Sequence, residues 1–210
     1  WLCYASIIRV NGDKVRIYGM MVFIGLDLAW SPRNRTGAAI LQEHTLLAYT
    51  GQLGSNEEIL AFVDPYLQGD ASAIIAVDAP LRVPNETGSR PCDQALSADW
   101  RRFEAGALPA NRRLLTFAGA VRGETLVTLL ARYYGFVECA PLPQQRAGRY
   151  LCEVFPHPAH VRFFGLPKTL KYKARPGRSR HERLAEFVRY QQLLGTLHQA
   201  TPPLFGLDEL

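Results

Sequence analysis

Three short apolar runs in this chain of 210 residues each carry one acid near the C-terminal end: FIGLDLA with Asp27, IIAVDAP with Asp78 and YLCEVFP with Glu153. Apolar, β-branched segments of this length read as buried strands, and Pro80 and Pro156 stop the second and third. A carboxylate at the end of a buried strand is costly unless it caps a turn, is paired or meets a cation. One such acid reads as a turn cap. Three at matching ends constrain the fold further, because neighbouring strands of one sheet would gather them into a cluster. Carboxylates that close repel one another, and a bound Mg²⁺ or Mn²⁺ relieves the repulsion. Asp27, Asp78 and Glu153 are therefore the candidate metal ligands and catalytic residues. In phosphoryl transfer such a cluster positions ions that activate water and stabilise the leaving oxygen.

The rest of the pattern places these runs in a mixed sheet. Strands are expected over 22–28, 36–42, 45–53, 73–78 and 150–155, with Glu43 and His44 turning a hairpin. Ser55 followed by Glu58 is a capping box that opens a helix over 56–68. Further helical spacing is found over 94–105, 110–118, 123–134, 158–164 and 180–194, and the stretch 80–93 reads as an irregular loop. Three antiparallel strands followed by helix-linked strands predict an α/β fold with helices on both faces of the sheet. No internal repeat or linker divides the chain, and its length suits one core. Met20 and Met21 directly precede the first strand. Residues 1–20 are accordingly expected to be an extension, and 21–210 a single domain truncated at its C-terminus.

The 24 Lys and Arg against 19 Asp and Glu leave a net charge of +5, which favours polyanions without identifying one. The excess is concentrated in KTLKYKARPGRSRHER, residues 168–183, where Glu182 is the single acid. Lys168, Lys171, Lys173, Arg175 and Arg178 there are expected to bind the phosphates of a nucleic acid, DNA or RNA. The loop NETGSRPCD supplies Glu86, Arg90 and Asp93, with Arg90 as a grip for the scissile phosphate. His157 and His160 suit a structural role at a helix start better than metal ligation. Ser97 and Cys92 lack the ordered base a nucleophile needs. No P-loop and no GxGxxG follows a strand. Cys3, Cys92, Cys139 and Cys152 form no CxxC pair, which argues against a zinc site of ordinary spacing and a disulfide framework. No apolar run approaches the roughly 18–20 residues of a membrane span, and no secretory signal is evident, so a cytoplasmic location without membrane contact is expected.

Taken together, GLDLAWS, AVDAPLRVPNETGSRPCD, EVFPHPA and the basic segment resemble a family of predicted RNase H-like nucleases, the domain-of-unknown-function family 429, from about Met21 to about Leu197. The resemblance implies an RNase H-like fold and metal-dependent hydrolysis of phosphodiesters, with Mg²⁺ or Mn²⁺ as cofactor. Nucleases of that fold usually draw a last acid from a C-terminal helix, and Asp208 and Glu209 are not assigned that role. Two other readings remain open on the same scaffold. One is a non-catalytic nucleic-acid-binding or adaptor module. The other is an actin-like phosphotransferase or ATPase, which the absence of a second phosphate loop and of a second domain disfavours.

Overall fold

β1 (Val22–Asp27) pairs antiparallel with β2 (Thr36–Gln42), which pairs antiparallel with β3 (Thr45–Leu53). This computed structural model describes residues 21–31, 33–144, 146–200 and 203–207. The expectations for residues 1–20 and for Asp208 and Glu209 lie outside the described residues. Helix α1 (Asn56–Val63) follows, then β4 (Ala73–Val77), α2 (Pro91–Trp100) and a short turn of helix α3 (Arg112–Leu115). A small hairpin, β5 (Thr116–Phe117) and β6 (Ala120–Val121), leads into α4 (Arg122–Tyr134). The chain continues through β7 (Val137–Glu138), β8 (Arg149–Glu153), α5 (Pro156–Phe163) and α6 (Arg180–Gly195). The main sheet has the order β3-β2-β1-β4-β8-β7, and its β1, β4, β8 and β7 run parallel. The expected mixed α/β sheet is therefore present. Among the described residues no helix is long and apolar enough to cross a membrane.

One face of this sheet holds the main core. Val22, Ile24 and Leu26 of β1, Ile40 of β2, Ala73, Ile75 and Val77 of β4 and Leu151 of β8 are buried together with Ile59 and Val63 of α1 and Leu126 and Leu130 of α4. In β1 the burial alternates, as period-two geometry requires, whereas central β4 is buried along its whole length. α4 starts hard against the exit of β4. A Cβ on Gly123 would lie 2.1 Å from the Pro80 carbonyl oxygen, so glycine alone permits this approach.

Several boundaries depart from the sequence expectation for identifiable reasons. α1 ends at Val63, not at 68, because Pro65 has no N–H to donate and turns the chain into a 3₁₀ segment, Asp64–Tyr66. α2 starts at Pro91, so the helix takes over the end of the expected loop. Proline suits a first helical position, where its missing N–H has no intrahelical partner to lose. The helix expected over 110–118 is only one turn, and the β5–β6 hairpin that follows reverses through Ala118 and Gly119, both at positive φ. The two-residue edge strand β7 has no sequence signal of its own.

Candidate active site

The three strand-end acids do reach one edge of the sheet, but not one cluster. Leu26 pairs with Val77, and the Asp78 N–H continues that ladder by donating to the Leu26 carbonyl at 2.7 Å. Asp27 and Asp78 are thus neighbours on the same face. In β8, however, Glu153 pairs with Val77 and not with Asp78. Side chains alternate between faces along a strand, so this one-residue offset directs Glu153 away from the pair. Among the described residues no three His, Cys, Asp or Glu side chains are grouped closely enough to hold a metal ion. The expected three-carboxylate site is therefore not assembled.

Glu153 instead completes a closed ionic unit with Arg90 and Asp93, the two residues expected to face substrate. Arg90 is buried, as is Asp93. The Arg90 guanidinium has five N–H donors, and all five are taken. Nε and Nη2 donate to Asp93 at 3.0 and 2.7 Å, Nη1 and Nη2 donate to Glu153 at 2.9 and 2.5 Å, and Nη1 also donates to the Arg82 carbonyl at 3.0 Å. Glu153 accepts in addition from the Leu81 N–H at 2.9 Å. Burial pulls the guanidinium pKa down, but the hydrogen bonds to Glu153 and Asp93 outweigh it and hold the group above its ordinary value. Asp93 also caps the N-terminus of α2 by accepting from the Arg90 N–H. Arg90 is left with no donor for a phosphate. It locks the β4 exit, α2 and the end of β8 together.

The Asp27–Asp78 pair has none of this support. Asp27 is exposed and Asp78 half-buried, and among the described residues neither carboxylate accepts a hydrogen bond. Burial, followed by the charge of Asp27, raises the Asp78 pKa to about 6; Lys173 opposes the rise and Glu153 adds to it. Two adjacent carboxylates without donors offer the hard oxygen chemistry that Mg²⁺ accepts from one or two protein acids, its remaining ligands being water and phosphate oxygens. Asp27 and Asp78 are the side chains at this edge that could hold a single such ion.

This edge lies within residues 25–203, the span over which the chain matches the family model described as a protein of unknown function (DUF429). The chain belongs to the DUF429 family. No curated protein and no solved structure matches it.

The same DUF429 span contains the basic segment, which forms a strap between α5 and α6. Its expected phosphate-binding residues divide into three groups. Lys168 and Lys171 are bound to Glu104, the latter at 2.6 Å, and they pull the Glu104 carboxyl down to about 2. Lys173 faces the acid pair, with Nζ 4.0 Å from Asp27 Oδ2. Arg175 is exposed, while Arg178 is half-buried and donates to the Lys173 carbonyl; neither forms an ion pair among the described residues. Pro176 and Gly177 turn the strap into α6, whose N-terminus Ser179 and Glu182 close as a capping box.

Residues that the sequence marks as structural, or does not mark at all, hold the strap in place. His157 Nδ1 is hydrogen-bonded to Thr169 Oγ1 at 2.9 Å, and His160 Nε2 to the Tyr190 hydroxyl at 2.9 Å. Tyr172 stacks on Tyr190 with ring centroids 5.3 Å apart, and the Lys171 N–H donates to Glu186 of α6. Burial, with the charges of Lys173, His160, Arg175 and Arg178, pushes His157 down to about 4, so it is neutral at pH 7. Arg122, unmarked in the sequence, is a buried staple. It donates to the carbonyls of Ala29 and Gly54 and to Asn56, tying the segment after β1 to the start of α1. Its only sequence signal is a lone arginine at a helix start, and that does not distinguish a buried clamp from a solvated one.

Proposed function

We propose that this protein is a metal-dependent phosphodiesterase acting on nucleic acid, with an RNase H-like arrangement of its sheet. The observation that carries the reading is the pair of carboxylates, Asp27 and Asp78, that accept no hydrogen bond among the described residues and lie on adjacent parallel strand ends beside a strap of basic side chains. The topology supports it too, with three antiparallel strands extended by parallel ones whose C-terminal ends carry the acids. Asp27 and Asp78 would hold one Mg²⁺ or Mn²⁺. When bound, such an ion supplies Lewis-acid polarisation of a phosphoryl oxygen and lowers the pKa of water. The chain's own residues do the rest. Arg175 and Arg178 track the phosphate backbone, and Asp78 and Asp27 orient the water that attacks phosphorus. The Arg90 unit keeps the strand ends rigid. Asp78 loses its charge as the pH falls through about 6, so affinity for the ion falls with it.

The test is hydrolysis of single-stranded and duplex DNA and RNA with Mn²⁺ or with EDTA, comparing the wild type with Asp27→Asn and Asp78→Asn. Cleavage that needs Mn²⁺ and is lost in both variants is the expected result. The closed Arg90–Glu153 contact favours a second reading, a non-catalytic nucleic-acid-binding module, because it takes the third carboxylate out of the site. That reading predicts salt-dependent binding that Asp27→Asn and Asp78→Asn leave unchanged or strengthen, with no cleavage.

A further inference from the structure

Among the described residues, Lys173 is the one lysine of the strap whose side chain is directed at the acid pair. Lys168 and Lys171 are committed to Glu104. The 4.0 Å separation from Asp27 is an ion pair without a hydrogen bond, and both side chains are substantially exposed. The ammonium therefore sits beside the carboxylates without being locked to them. A lysine is suited to such a post. It carries a compact charge on a flexible stem with three rotatable donors, so it can re-aim without moving the backbone. The backbone at this point is held by the Tyr172–Tyr190 stack on one side and by the bond from Arg178 to the Lys173 carbonyl on the other.

We propose that Lys173 is the resident counter-cation of the Asp27–Asp78 pair, and that it transfers from Asp27 to a non-bridging phosphate oxygen of the nucleic acid when a divalent cation occupies the pair. The inference rests on the phosphodiesterase reading and deepens it. An ammonium and a divalent ion compete for the same carboxylates, so Lys173 weakens metal binding by the free protein. Once nucleic acid arrives, its phosphate takes the ammonium, which removes the competitor. Metal and substrate then bind with positive coupling. No covalent bond forms or breaks in this exchange; one ion pair replaces another.

Calorimetric titration of the full chain with Mn²⁺ alone tests it, using the wild type, Lys173→Met, Lys173→Gln, Lys173→Arg and Asp78→Asn. Removing one unit charge at this distance and exposure should tighten Mn²⁺ binding roughly fivefold in both neutral variants. Lys173→Arg should keep wild-type affinity, and Asp78→Asn should bind no Mn²⁺ at this site. At saturating Mn²⁺ the neutral variants should cleave nucleic acid more slowly despite their tighter metal. A merely structural role would not give tighter metal with slower cleavage. Equal or weaker Mn²⁺ binding by the folded neutral variants, with Asp78→Asn still negative, would overturn the role of Lys173 and leave the metal reading standing. Tighter binding with undiminished cleavage would overturn the transfer to phosphate. Absence of Mn²⁺ binding in every protein would overturn both the inference and the reading beneath it.

Discussion

Two sets of carboxylates lie at or beside the same strand ends, and the fold treats them in opposite ways. Glu153 and Asp93 are saturated by Arg90, which commits all its donors to them and to one carbonyl. Asp27 and Asp78 are set beside each other with no donor among the described residues, and the loosely held Lys173 offsets their charge. The first set contributes rigidity, since breaking a buried ion pair leaves a charge without compensation. The second stores repulsion that an incoming cation can relieve. Acids from neighbouring strand ends and from the first turn of α2 are thus divided into a hydrogen-bonded set and one without hydrogen bonds among the described residues.

The comparison breaks most visibly at Arg90. Arg90→Met should lower the unfolding free energy by about 3–5 kcal/mol, because Asp93 and Glu153 would be left without their cation. Urea unfolding measures it. Arg90→Lys should recover only part of the loss, since an ammonium cannot reproduce the planar fork. If Arg90→Met proves neutral, the unit is not structural and Arg90 returns as a substrate contact.

Mn²⁺ sharpens the other half of the comparison. At about a hundred times its dissociation constant, the ion should add about 2.7 kcal/mol to the stability of the wild type. It should add nothing to Asp27→Asn or Asp78→Asn, and thermal shifts with and without EDTA report the difference.

Asp78 also separates the two sets by pH. Its folded pKa, about 6, lies above the ordinary 3.8, so the folded protein binds this proton more tightly than the unfolded chain. The charged carboxylate therefore costs stability, and the cost grows as the pH rises from about 3.8 to about 6. Asp78→Asn should be more stable than the wild type by about 1–2 kcal/mol at pH 7.5. The gain should fade through that window on acidification. Destabilisation at pH 7.5 would mean that the carboxylate has a partner it needs. His157 works in the opposite sense over an overlapping range. Its pKa is depressed to about 4, so its contribution is present above the ordinary 6.5 and is lost as the pH falls towards 4. Unfolding of Asp78→Asn should consequently show the His157 slope without the opposing one.

The smallest effect belongs to Glu104. Its ion pairs with Lys168 and Lys171 lie in solvent, so Glu104→Gln should change stability little, and less still in high salt. Freed of their partner, Lys168 and Lys171 should instead strengthen nucleic-acid binding at low salt, which a filter-binding titration can follow.

Much of the architecture was legible because it rests on local rules. The hairpin of β2 and β3 follows from the polar turn at Glu43 and His44, the start of α1 from the Ser55 capping box, and the extent of α4 from its helical spacing. The failures have equally local causes. A proline inside an apolar periodicity shortened α1, and positive φ at Ala118 and Gly119 made a hairpin where spacing indicated a helix. The acids at the ends of β1, β4 and β8 were likewise readable as the place to look. Their division was not, because it depends on register. One residue of offset between β4 and β8 turns Glu153 to the opposite face from Asp78, and no property of either strand taken alone encodes that offset.

By itself, the sequence determined most of the segments that become strands and helices, that several strands end in acids, and that the positive charge gathers in one segment. These follow from side-chain periodicity, caps and composition, which act over a few residues. Only the tertiary structure decided which acids meet, that Arg90 is committed inside the protein, that Glu104 takes Lys168 and Lys171, and that Lys173 reaches the Asp27–Asp78 pair. Those outcomes depend on contacts between residues far apart in the chain, where a shift of one position changes the face, the partner and hence the charge that each group must satisfy.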